Sequence, residues 1–119
     1  MNAELPVFLN HWHEKFEGEI TICDRDGIII YMNEFSKKQF VKYGGDKLIG
    51  TNLLDCHPEP SRSKLVKLLE LQETNSYTIE KGGIKKIIHQ SPLFDNGIFN
   101  GLIEISFVLP QDMPHFNRD

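Results

Sequence analysis

Histidine and cysteine are the side chains of this sequence best suited to chemistry, and their spacing limits what they can do together. His11 and His13 lie two apart. On a helix they point to different faces and cannot share a metal at the i, i+4 spacing a helix supplies. A surface helix accounts for them, and no metal site is expected. Cys56 and His57 are adjacent, which suggests a thiolate beside a base. Side chains adjacent in sequence rarely meet, however, and a nucleophile also needs a third group to orient its base. None can be named near Cys56-His57-Pro58, so the competing reading is a helix-bounding turn with a partly buried thiol. Asp24, Asp26 and Asp95 fall in turns, where short carboxylates bond the following backbone amides. No catalytic residue is expected, and Cys56/His57 is the small-enzyme alternative. His89 lies in the run Ile84 to Ser91, which carries apolar residues on both faces. Alternation therefore does not tell which way it points.

The elements that would position these residues can be read from periodicity and punctuation. Leu5, Phe8, Leu9, Trp12 and Phe16 recur at helical spacing. They predict an amphipathic helix from about Leu5 to Phe16, ended by Glu17-Gly18. Two apolar runs, Ile20 to Cys23 and Ile28 to Met32, flank Asp24-Arg25-Asp26-Gly27. Asp-Gly between such runs signals a hairpin, because Gly accepts the positive φ a tight turn needs. Asn33 then stands where an N-cap is wanted, before the helical run Glu34 to Tyr43. An irregular stretch, Asp46 to His57, leads past Pro58 and Pro60 to a helix bearing Leu65, Val66, Leu68 and Leu69, with Ser61 or Ser63 as its cap. Three strand-like runs follow: Tyr77 to Glu80, Ile84 to Ser91, and Ile98 to Leu109. Asp95-Asn96-Gly97 turns the chain between the last two. Helix, two strands, short helices and three strands predict an α+β domain built on one sheet.

Bulk properties narrow the function. A chain of 119 residues is one domain with enough core to fold alone. A net charge of −4 with scattered lysines argues against nucleic acid as a partner. No apolar run approaches the roughly 20 residues of a membrane span. The two cysteines form no C-x-x-C pair, so a cytoplasmic protein with reduced thiols and no membrane association is expected.

Several stretches, taken in order, resemble a PAS domain, the small sensory module of signalling proteins. They are the Asp24 to Gly27 hairpin with Asn33 after the second strand, Leu48-Ile49-Gly50-Thr51-Asn52-Leu53, Asp55-Cys56-His57-Pro58 before an amphipathic helix, Ser91 to Gly97, and Gly101-Leu102-Ile103-Glu104-Ile105. The third is similar to a PAS subgroup fused to hemerythrin-like domains in bacteria and archaea. The resemblance implies a five-stranded antiparallel sheet with short helices on one face. It divides the chain into an N-terminal cap helix (1–16), the PAS domain (17–109) and an extended tail (110–119). The family's usual closing Asp-Ile-Thr is replaced by Ser106-Phe107-Val108-Leu109-Pro110. With no effector domain in the sequence, a standalone sensory or protein-interaction module without catalysis is expected, signalling by association to a downstream protein that cannot be named.

The resemblance also frames the ligand question. A pocket between sheet and helices would be lined by Phe35, Phe40, Leu53, Leu54, Leu65 and Leu69, with His89 or Ser91 supplying a polar group; the same residues could simply fill the core. The alternative is a haem or other cofactor sensor that uses His57 or His89. Chromophores linked near Cys56 would need Tyr and Glu partners, for which Tyr31 and Glu34 are the available matches. In flavin photosensors of this family a cysteine stands where this chain has Leu53. Illumination with added flavin is therefore expected to give no adduct bleaching, and a reversible blue-light absorbance change would contradict the comparison. The aromatic N-terminal stripe predicts a homodimer through Phe8, Trp12 and the exposed face of Ile98 to Leu109.

Overall fold

The computed structural model describes residues 4–119. Its five strands form one antiparallel sheet in the order β2-β1-β5-β4-β3. They are β1 (Glu19–Asp24), β2 (Ile29–Met32), β3 (Asn75–Lys81), β4 (Ile84–Asp95) and β5 (Ile98–Val108). Between β2 and β3 run α2 (Glu34–Gln39), three 3₁₀ turns (Val41–Tyr43, Gly45–Leu48, Leu53–Cys56) and α3 (Ser61–Leu71). All five cover the same face, where Cys23, Ile29, Met32, Leu53, Leu65, Leu68 and Leu102 form the buried core.

Local chemistry explains the joints. Asp24 Oδ1 accepts from the amides of Asp26 and Ile28 at 2.9 and 3.0 Å, which closes the first hairpin as its sequence predicts. Opposite β1, Ile22 pairs with Tyr31 and Cys23 with Ile29, so Ile30 is an extra residue. That bulge lets Ile29 and Met32, three apart, both face the core. Pro92 lies inside β4, paired with Leu102, and the strand continues past the expected end at Ser91. It is tolerated because β3 begins only at Asn75, opposite Gln90, leaving the edge of β4 beyond Gln90 free of β3. The cap of α3 differs from expectation. Neither Ser61 nor Ser63 caps; Glu59 reaches forward, accepting from the Ser63 amide at 2.8 Å and its hydroxyl at 2.5 Å.

The N-terminal helix is also corrected. Val7–Asn10 forms a 3₁₀ turn, and α1 is the single turn Trp12–Lys15, with the chain bent at His11 (φ −145°). Short helices hold only when an apolar face is packed, and here Leu5, Phe8 and Trp12 are 74, 57 and 51% exposed. Polar contacts anchor α1 instead. The Tyr31 hydroxyl donates to Glu14 at 2.7 Å, Lys15 meets Glu34 at 2.7 Å, and the His13 ring stands edge-on to Tyr31. Past Leu109 the chain has no regular element. Among the described residues no helix is long and apolar enough to cross a membrane.

Candidate functional site

Asn33 is the joint on which the site depends. It is fully buried. Its Oδ1 accepts from the amide of Ser36, capping α2, and from the amide of Ile20 on β1, each at 3.0 Å. Its Nδ2 donates to the carbonyls of His13 (3.0 Å), Gly18 (2.9 Å) and Phe16 (3.4 Å). One amide thus fixes the N-terminal segment, the inner strand β1 and the first covering helix.

The face of the sheet beneath the helices is unexpectedly polar. By alternation from the Cys23–Leu102 pair it presents Glu19 and Thr21 on β1, Glu104 and Ser106 on β5, and Lys86, Ile88 and Gln90 on β4. These groups satisfy one another. Asn75 donates to Gln90 Oε1 at 3.1 Å, and Gln90 Nε2 donates to Glu104 Oε2 at 3.0 Å. His57, just past the Leu53–Cys56 turn, brings Nε2 to 3.6 Å from the same Glu104 oxygen. Its Nδ1 lies 2.9 Å from the Leu53 carbonyl, which can only accept, so Nδ1 carries a proton. Lys86 donates to Glu19 at 2.6 Å, and the Thr21 and Ser36 hydroxyls lie 2.7 Å apart. Ser106 is different: its hydroxyl is buried with no hydrogen-bond partner among the described residues.

Above this floor the helices supply an apolar wall. Leu53 and Leu65 are buried, and Phe40, Leu54 and Leu69 pack against the core cluster. Phe35 does not join them. It lines a shallow surface groove of about 180 Å³ with Glu14, Phe16 and Lys38.

No protein-family model matches the sequence, and no curated protein matches it. Solved structures do. A C-terminal domain from Streptococcus mutans is 24% identical, with 89% of this chain and 87% of that one covered at a TM-score of 0.67. A sensory box sensor histidine kinase from Vibrio cholerae is 15% identical over 87% of this chain and 91% of that one, TM-score 0.64. The PAS domain of an HTR-like protein from Haloarcula marismortui is 15% identical over 85% and 88%, TM-score 0.61. The chain has the PAS fold. At these identities the likeness speaks for architecture, and this chain's own residues must carry any functional reading.

Within this PAS fold the predicted site residues separate into two groups. Phe40, Leu53, Leu54, Leu65 and Leu69 come together between helices and sheet. His89 and Ser91 do not, because alternation places them on the outer face, opposite Ile105 and Ile103. His89 Nδ1 lies 2.6 Å from the Ser76 hydroxyl on the neighbouring strand. Neither can supply a polar group to the interior, and His89 is too misplaced to ligate an interior haem. His57 does face inward, but the Leu53 carbonyl and Glu104 already engage both of its nitrogens. Cys56 is exposed, and desolvation together with Asp55 and Glu104 pushes its thiol up, the opposite of what a nucleophile needs. The polar groups of the PAS interior are instead Glu104, Gln90 and Ser106. Glu104 and Ser106 escape a sequence reading because they alternate with Ile103, Ile105 and Phe107, which look like the buried set, and Gln90 escapes it because it stands between two other polar residues, His89 and Ser91.

Proposed function

We propose that this chain is a sensory module of signal transduction that works by association, forming a homodimer through its outer sheet face and N-terminal segment. The observation that carries the reading is the outer face itself. Ile22, Ile87, Ile103, Ile105 and Phe107 lie side by side across β1, β5 and β4. Phe107 is 38% exposed and the isoleucines are half-buried. The N-terminal segment meets β2 at Tyr31, α2 at Glu34 and the start of β1, where the Phe16 ring lies over Gly18. Phe8 and Trp12 on that segment remain exposed. A contiguous apolar patch of this kind marks an interaction site, and a two-fold copy satisfies both parts at once. Replacing Phe8 and Trp12 with Ser, or Phe107 with Glu, should yield monomers in analytical ultracentrifugation with the fold retained by circular dichroism. Variants that remain dimeric would place the interface elsewhere.

A second reading, that the module senses a small ligand, is favoured by the free Ser106 hydroxyl. Buried hydroxyls are normally paired, and an orphan on the inner face of the sheet, between Glu19 and Ile88, is suited to a ligand's polar group. Such a ligand would rest its apolar part on the helices and its polar part on Ser106, Gln90 and Glu104. Native mass spectrometry of freshly purified protein, beside a Ser106→Ala variant, tests this. A co-purifying adduct weakened by the substitution supports it, and bare protein in both samples counts against it.

A further inference from the structure

We propose that His57 and Glu104 form a proton-operated latch that holds the Leu53–Cys56 turn against the sheet, closed while the imidazole is charged and released when it is neutral. The geometry leaves the ring little choice. Nδ1–H is committed to the Leu53 carbonyl at 2.9 Å, so the proton that comes and goes is on Nε2, 3.6 Å from Glu104 Oε2. With that proton the ring bridges turn and sheet as a cation facing a carboxylate. Without it, a bare lone pair faces a carboxylate whose remaining donor is Gln90 Nε2 at 3.0 Å. Both side chains are 15% exposed, so water screens the change little.

The neighbours leave His57 as the group that changes. Gln90 on β4 is neutral. Cys23 on β1, Cys56 on the turn and Tyr77 on β3 lie near Glu104; desolvation, full at Cys23 and partial at the other two, aided by the charge of Glu104 and at Cys56 of Asp55, holds each above its ordinary value and neutral near pH 7. Arg62 on α3 donates to the Leu54 carbonyl at 3.0 Å and faces Asp55 at 3.7 Å, a fixed charge on the solvent side. Burial alone would lower the imidazole, but Glu104 and the Leu53 carbonyl outweigh it and hold it above 6.5. A raised folded value means that the stabilisation is complete below the unfolded value near 6.5 and is lost as pH rises through the folded one. The latch therefore closes on acidification and opens as pH rises through a folded value that lies above 6.5. The turn it holds carries Leu53 and Leu54, part of the wall of the interior discussed under the ligand reading. Only the latch's consequence for a ligand rests on that reading; the latch itself does not.

The test is to follow the His57 ring by NMR and hydrogen exchange of residues 53–57, corrected for intrinsic rates, from about pH 5.5 to about pH 8.5. The ring should titrate above 6.5, and protection of the segment should fall at least about threefold with the same midpoint. Glu104→Gln should bring the ring down and flatten the exchange profile. Should that variant fail to fold, His57→Gln, which cannot titrate, must likewise be flat. A ring that titrates at or below 6.5, a flat profile in the unaltered protein, or a pH dependence that persists in either variant would overturn the latch. A working latch in a protein that binds no small molecule would remove the ligand reading alone.

Discussion

Asn33→Asp should cost about 3–5 kcal/mol at neutral pH, a large fraction of the stability of a domain this size. The substitution keeps the oxygen that accepts from Ile20 and Ser36 and replaces the nitrogen that donates to His13, Gly18 and Phe16. A carboxylate oxygen then faces carbonyl oxygens at a fully buried position, out of reach of bulk solvent. The new carboxyl should therefore hold its proton more tightly in the folded state than in the unfolded one. Its ionisation costs stability as pH rises, so the deficit relative to Asn33 should shrink on acidification toward about pH 4, where one carbonyl regains a donor. Urea unfolding of both proteins at the two pH values measures this. A deficit below about 1 kcal/mol, or one that does not depend on pH, would show that the joint is not made by this side chain.

Gly101→Ala should be comparably damaging for a steric reason. Gly101 lies opposite Asp24 where β5 crosses β1, with φ near +150°. A Cβ there would stand 1.9 Å from the Cys23 carbonyl oxygen and 2.9 Å from the Asp24 Cα. Both obstacles are backbone in the middle of the sheet, so no side chain can swing aside. The two central strands would have to separate where Cys23 and Leu102 form the core. A loss of at least about 3 kcal/mol, or failure to accumulate as soluble protein, is expected. Gly97→Ala, whose added Cβ meets nothing within 4 Å, is the control: its positive φ of 77° imposes strain without a clash. Equal melting temperatures for the two variants would contradict this account of the close approach.

Much of the architecture could be read from the residues because it rests on local chemistry. Asp24-to-Gly27 turns and Asn33 caps through bonds to amides two to four residues away, and such bonds are written in sequence. The failures arise where long-range pairing decides. His89 and Ser91 have no face that the sequence decides, because β4 has apolar residues on both sides, and a shift of one residue in register exchanges the faces. The interior face then proved the more polar one. Glu104 is acceptable there only because Gln90 from β4 and His57 from beyond the last 3₁₀ turn converge on it, and no local pattern announces that meeting. The N-terminal stripe failed differently. Its spacing is helical, but a helix needs a covered face, and in the single chain Phe8 and Trp12 stay more than half exposed.

That uncovered stripe, together with the outer sheet face, is the centre of the functional account. Sedimentation velocity of the unaltered protein, from about 1 to about 100 μM at moderate salt, tests it most directly. The account predicts a dimer that persists into the low micromolar range and dissociates on dilution. It also predicts that Phe8 and Trp12 become protected from hydroxyl-radical labelling in the dimer. A single species at the monomer mass of 13.7 kDa across that range would contradict it.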